Sequence, residues 1–440
     1  MFSHSIRAGV ARQLITPPAG IFLVGYGDRT KGNQGVHDDL TATALVLDDG
    51  ERRLALVACD LLCLNEYVVD RIRRKVGLGT DLIVCCSHTH SGPIGYAGEG
   101  VSSARRRYIN TLVDRVGQAV ADAAASLQPA WLGWSQGVAD IAVNRRERKA
   151  DGHIEIGINP DGVIDRSVNV LSVFGEAGKR LATLVNFACH GTVLGPDNLL
   201  VSADWIGAMR RGVESELGGL CLFLQGATGD LNPEMGWGTS GVWDLLQRQA
   251  DRVAGAVVEA CSTEMKTFCS VPLGLVRQEV WLPFEIRADT PKPPATYRRR
   301  LLEMAHLPSW MFFLTDALLD ERYPWCSRIL ARDGYWGTLL RVNSVRMGDL
   351  ALVTFGSETF TEIGMAIKQL SPAQYTMFAS ISDGCIGYLP TAAAHADGGF
   401  EVDLSPYSYR YPGRFEAHCE ELALDAARRA LEALYGAGPK

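Results

Sequence analysis

Two histidines separated by one residue, in Ser87-His88-Thr89-His90-Ser91-Gly92-Pro93, are the side chains best placed to do chemistry in this chain. Imidazole binds divalent metals and changes charge near neutral pH. The pair follows an apolar, β-prone run, Leu82-Ile83-Val84-Cys85-Cys86, which reads as a buried strand closed by a Gly-Pro turn. That puts both rings at the C-terminal end of a core strand, where α/β proteins build their sites. Residues two apart on an extended segment share a face, so one ring could hold a metal while the other handles a proton beside it. A short His-x-His also suits a polar surface loop, so the rest of the chain must decide.

Other segments repeat the pattern. His190, in Asn186-Phe187-Ala188-Cys189-His190-Gly191-Thr192, again ends an apolar strand before a glycine turn. Zinc sites combine neutral imidazoles with a carboxylate and leave a position for water when catalytic. Glu358 lies just past a strand-like run, where a carboxylate could equally serve the N-terminus of a helix. Gly226-Ala227-Thr228-Gly229-Asp230 follows a short strand and offers backbone N–H groups to an anion or oxyanion, or serves only as a turn. Asn144-Arg145-Arg146 lies beyond a strand, where an arginine is solvated unless the histidines are near. Tyr388, in the turn-rich Asp383–Thr391 stretch, is a phenol donor or ligand, or a packed ring with a wet hydroxyl. A nucleophile elbow, a Walker-type loop and a dinucleotide fingerprint are all missing.

These residues need a scaffold, and the chain reads as alternating strands and helices. Strands are expected at Leu40–Leu47, Arg53–Ala58, Leu82–Cys86, Trp131–Val138, Val168–Phe174, Leu181–Ala188, Leu220–Leu224 and Tyr375–Ile381, with a hairpin over Val342–Phe355. Helices are expected at Asn65–Val76, Ala104–Ser126, Asp204–Leu217, Val242–Ala260, Thr361–Leu370 and Arg414–Tyr435. The fold class is α/β, a layered mixed β-sheet core flanked by helices, in a single domain over residues 1–440. Residues 291–337 form an aromatic-rich stretch around Trp310–Leu314, read as a helical excursion that is core, dimer contact or lid.

A hydrophobic fraction of 47% with 21% charged residues is that of a globular protein in water. A net charge of −7 gives no footprint for nucleic acid and argues against stable membrane anchoring. A homo-oligomer is compatible with this surface. Eleven cysteines without a Cys-x-x-Cys pair suit buried thiols in a reducing compartment, so the expected location is cytoplasmic.

Taken together the motifs resemble the neutral/alkaline (non-lysosomal) ceramidase family. The resemblance runs from Ala8-Gly9-Val10-Ala11 and Ile15-Thr16-Pro17-Pro18 through Gly25-Tyr26-Gly27, Gly35-Val36-His37-Asp38, Ser87–Pro93, Asn144-Arg145, Asn186–Gly191, Ser202-Ala203-Asp204-Trp205, Gly229-Asp230-Leu231-Asn232-Pro233 and Glu358 to Gly387–Thr391. It implies one catalytic Zn2+ per chain on His88, His190, Glu358 and Tyr388, with His90 as proton carrier and Arg145 lining the site. Gly229, Asp230 and Asn232 become candidates for the substrate or oxyanion position. The family motif is Gly-Asp-x-Ser-Pro, and here Asn232 replaces the serine, which favours attack by zinc-activated water. Family ceramidases also tend to carry a leader or anchor and a C-terminal immunoglobulin-like domain, and neither is expected here. The resulting expectation is a zinc-dependent amide hydrolase for a small or N-acylated substrate. The alternatives are lactone or ester hydrolysis, ceramide hydrolysis proper, and a catalytically silent binding protein.

Overall fold

The computed structural model describes residues 6–27, 29–77, 81–93, 95–96, 101–233, 243–263, 265–268, 270–289 and 329–436. Two sheets dominate it. The larger has nine strands, in the order 220–225, 180–187, 167–175, 128–138, 6–14, 41–48, 53–59, 82–86, with 266–268 pairing 128–138. Among the described residues its only parallel pairs are Arg180–Phe187 with Leu220–Gln225 and Arg53–Cys59 with Leu82–Cys86. The smaller sheet has five strands, Leu273–Arg287, Tyr335–Met347, Leu350–Phe355 and Tyr375–Ala379, with Leu330–Arg332 on the second.

Side-chain alternation explains the layering. On Thr41–Asp48, Ala42, Ala44 and Val46 join one core cluster while Leu45 and Leu47 join another. The same split recurs on Leu350–Phe355, where Leu350 and Leu352 face the cluster that Ala351, Val353 and Phe355 turn away from. Residues of both sheets meet in that shared cluster. Helices cover the outer faces. Glu66–Val76, Ser103–Ala125, Asp204–Leu217 and Trp243–Thr263 lie on the large sheet, and Thr361–Leu370 and Cys419–Tyr435 on the small one. The result is four layers, helix–sheet–sheet–helix. The helices therefore do not flank both faces of one sheet. A strand buried on both sides reads the same whether its second cover is a helix or another sheet.

Local signals place the helices. Asn65 caps Glu66–Val76 by accepting from the Val68 N–H, and Gly77 ends that helix at φ 74°. The last helix begins at Cys419, not Arg414. Residues 414–416 instead lie against the small sheet, with Phe415 bridging Phe284 and Glu285 N–H donating to the Arg414 carbonyl. Most of the 291–337 stretch, including Trp310–Leu314, lies outside the described residues. Its described end is strand, with Trp336 on Tyr335–Met347.

The large sheet curls until its ends meet. The chain leaving Cys86 runs beside the chain leaving Phe187, with Thr89 bridging Gly191. Ser380–Asp383 fills the gap between the two ends: Ser380 N–H donates to Gln225, Cys86 N–H to Ile381, and Asp383 N–H to Val84. Asp383 locks this closure. Its carboxylate is fully buried and accepts from Val84 N–H, Arg277 and Asn343 at 2.9, 3.0 and 3.1 Å, and also from Arg73. The large sheet, the small sheet and the Glu66–Val76 helix are thus tied at one anion. Asp383→Asn removes the buried countercharge of Arg277 and leaves Arg73 only Asp70, a change expected to lower the unfolding free energy by about 3–5 kcal/mol. Denaturant titration checks this, and a midpoint equal to that of the unaltered chain would contradict it.

Candidate active site

The two histidine segments leave the curled sheet side by side. Gln225 holds both: its Nε2 donates to the carbonyls of Ser87 at 3.2 Å and Cys189 at 2.9 Å, the residues preceding His88 and His190. His88 adopts φ 63°, a conformation rare for a side chain of its size and tolerated where the surroundings over-determine it. Its Nδ1 lies 2.8 Å from the Leu62 carbonyl, and His190 Nδ1 lies 2.7 Å from the Leu231 carbonyl. A carbonyl only accepts, so both rings carry their proton on Nδ1 and present the Nε2 lone pair.

Both lone pairs point at one carboxylate. Glu358 Oε2 is 3.1 Å from His88 Nε2 and 3.5 Å from His190 Nε2. Glu358 is not at a helix start. It lies on a two-residue strand, Glu358–Thr359, directly across from Tyr388 on the parallel strand Tyr388–Leu389. Its other oxygen accepts the Tyr409 hydroxyl. Three acceptors face one another in a buried space, an arrangement that needs a proton or a cation between them. Burial, reinforced by Arg145, lowers His190 to about 4, so a proton is held there poorly. Burial alone would raise the Glu358 carboxyl, and positive charge at the His88 and His190 positions is what outweighs burial and holds it well below the usual range, so the carboxylate calls for a cation there. The donor set therefore fits a divalent cation with mixed nitrogen and oxygen ligation.

His90 stands beside this group with different surroundings. The ring nitrogens of His88, His90 and His190 lie within 4.8 Å of one another. Yet neither nitrogen of His90 has a hydrogen-bond partner. Metal-holding imidazoles are oriented by a bond from the other nitrogen, which His88 and His190 have and His90 lacks. Burial pushes the His90 pKa well below 6.5, and any positive charge at the neighbouring His88 and His190 positions lowers it further, so its ring is a neutral acceptor. Packing alone aims it. Gly25, at φ 110°, leaves room that a β-carbon would fill 2.3 Å from His90 Nδ1. Tyr26 meets the ring edge-on at 5.0 Å.

Tyr388 and Arg145 close another side. Burial raises the Tyr388 phenol well above 10, although Arg145 opposes it. The Arg145 guanidinium lies 5.3 Å from the Tyr388 ring centre. Arg145 is not in a solvated loop. It is buried on the strand Ala142–Arg148, which pairs with Leu231–Pro233. Asn232 on that partner strand accepts from Arg145 Nη1 at 3.2 Å. The turn before it is structural. Gly229 N–H donates to the Thr359 carbonyl, and Asp230 accepts from Asn144 and from both Thr361 donors. The Gly229 N–H is therefore engaged, and the Asp230 N–H is turned to its own carboxylate. Gln225, Tyr409 and Glu401, which accepts from Arg145 and Arg146 at 2.8 Å each, were not visible as site residues in the sequence. A lone Gln at a strand end, a Tyr in a turn and a Glu after two glycines carry no pattern that marks them.

Among the described residues no helix is long and apolar enough to cross a membrane. Residues 7–236, just over half the chain, match the family described as neutral/alkaline non-lysosomal ceramidase, N-terminal. The chain is similar to neutral ceramidase B of Dictyostelium discoideum, 26% identical over an alignment of 256 residues that covers 52% of this chain and 36% of that protein. It is similar to neutral ceramidase 1 of Arabidopsis thaliana, 25% identical over 49% of this chain and 30% of that protein. The matches thus span about a third of these curated relatives. In structure, it resembles neutral ceramidase from Pseudomonas aeruginosa at a TM-score of 0.74 and 20% identity, covering 99% of this chain and 75% of the other. A ceramidase complexed with C2 gives 0.77 and 18%, covering 99% and 76%. The motif order, the curled sheet that brings His88 beside His190 and the family match agree: this chain belongs to the neutral/alkaline non-lysosomal ceramidase family.

Proposed function

We propose that this chain is a zinc-dependent hydrolase that cleaves the carbon–nitrogen bond of an N-acylated amide. The observation that carries the reading is the meeting of two Nε2 lone pairs and one carboxylate oxygen, with both Nδ1 protons fixed on backbone carbonyls. His88, His190 and Glu358 are the residues that would hold one Zn2+, with Tyr388 beside Glu358 on the adjoining strand as the fourth. Zinc bound there supplies Lewis-acid polarisation of the scissile carbonyl and a lowered pKa for water.

The remaining steps belong to the protein. His90, neutral and without a hydrogen-bond partner, accepts the proton of the attacking water and returns it to the departing amine. Arg145 keeps its charge. Burial would weaken it, but Tyr388 and Glu401 outweigh burial. It steadies negative charge as the carbonyl becomes tetrahedral. Because Asn232 is no nucleophile, attack by water is the route this site supports. The relatives are named ceramidases, and the parent class of N-acyl compounds follows from that likeness.

Three outcomes test the roles. His88→Ala and His190→Ala should each lose zinc by elemental analysis. His90→Ala should keep it while kcat falls roughly 100-fold or more. Zinc lost with His90 would move that ring into the ligand set. Gly25→Ala should leave zinc bound but push the His90 ring aside, lowering kcat about 100-fold, the scale of a misplacement near 1 Å. Wild-type kcat would refute the Gly25–His90 contact. Offered matched amide, ester and lactone substrates of one acyl group, the protein should turn over the amide. Hydrolysis of the ester or lactone alone would replace amidase with esterase or lactonase.

A further inference from the structure

Beside the metal-facing cluster, two buried donors have nothing to donate to. Arg145 gives Nε to Glu401 at 2.8 Å and Nη1 to Asn232 Oδ1 at 3.2 Å, while its Nη2 has no partner. Since Asn232 Oδ1 accepts from Arg145, the amide orientation is set, and its Nδ2 is the second donor without a partner. Arg145 is 4% exposed and Asn232 fully buried, so water does not freely satisfy either. A buried donor left unsatisfied is costly, and more so when it is charged.

The neighbouring carboxylates are engaged. Both oxygens of Glu401 are taken by Arg145 and Arg146. Those of Asp230 are taken by Asn144 and Thr361, one oxygen of Glu358 accepts from Tyr409, and its other oxygen faces the two histidine lone pairs. The acceptor that completes this recess must therefore arrive with a ligand. Its position is set by the chain, since Leu231, which orients His190, immediately precedes Asn232.

We propose that Arg145 Nη2 and Asn232 Nδ2 form a twin-donor recess for a carboxylate carried by the substrate, which makes the preferred amide an N-acyl amino acid. This rests on the amide-hydrolase reading above. A carboxylate brings two acceptor oxygens, no donor, and the charge that a guanidinium favours. A hydroxyl brings no charge to the guanidinium, and its own proton meets carboxylates that are already engaged, so an N-acyl amino alcohol fits less well. Asn232 is then a specificity-determining residue. A serine in its place would offer one hydroxyl that both donates and accepts.

The test compares N-octanoylglycine with N-octanoylethanolamine, which share the acyl chain and scissile bond and differ in carboxylate against hydroxymethyl. With the zinc-loaded protein, kcat/KM should favour the glycine conjugate at least about tenfold. Asn232→Asp, nearly the same shape with a negative charge, should bring that ratio to one or below, and Asn232→Ser should bring it within about threefold of one. The ratio is read within one preparation, so a loss of folded protein does not alter it. Equal kcat/KM for the two substrates in the unaltered protein overturns the proposal. So does a parallel loss on both in Asn232→Asp, because Asn232 would then serve a step common to both substrates and not the carboxylate. If neither compound is hydrolysed, the amidase reading falls and calorimetry decides the recess. N-octanoylglycine bound by the unaltered protein and not by Asn232→Asp upholds it, and no binding to either ends it.

Discussion

Glu358 faces two imidazole lone pairs that cannot turn away. The Leu62 and Leu231 carbonyls fix the proton on the far nitrogen of each ring, so His88 and His190 meet the carboxylate as acceptors. Burial prevents water from diluting the contact, and it keeps His190 neutral. Like-for-like acceptors at 3.1 and 3.5 Å are stable only with a positive charge among them. Much else in the fold serves to hold these three groups where they would otherwise repel.

That holding is done by backbone closure more than by helices. The large sheet curls until the segments after Cys86 and Phe187 bridge, and Ser380–Asp383 fills what remains. Gln225 ties both histidine segments through their preceding carbonyls. The same Ser380–Asp383 insertion continues to Tyr388, across from Glu358. Four site residues from distant parts of the chain thus depend on one junction, and Asp383 anchors it with its buried charge. His90 is the exception. It is aimed by the space at Gly25 and by Tyr26, with no hydrogen bond to its ring, which leaves it free to exchange protons.

Local patterns were legible in the sequence. The Leu82–Cys86 strand, the Asn65 cap with its helix and the hairpin about Gly348 all announce themselves through apolar spacing and turn residues. The histidines were legible because a metal-type residue at the end of an apolar strand is an unusual place for a polar side chain. The strand Leu273–Arg287 was not. Its partner Tyr335–Met347 lies far along the chain, so no turn marks the pair. Arg145 looked solvated because Ala142–Arg148 alternates polar residues on both faces, and its burial comes from strands and turns that no local window contains. Gln225 and Tyr409 act only through partners brought in by the curl. The stacking of two sheets was hidden for the same reason: alternation shows that a strand is covered on both sides, not by what.

The most direct test of the account is where a metal goes. Crystals grown with zinc and measured at its absorption edge should show one anomalous peak per chain, about 2.0–2.2 Å from His88 Nε2, His190 Nε2 and a Glu358 oxygen, with His90 outside bonding distance. A peak bound by His90 in place of Glu358, or by none of these residues, would contradict the claim that this carboxylate and these two lone pairs are the site's organising contact.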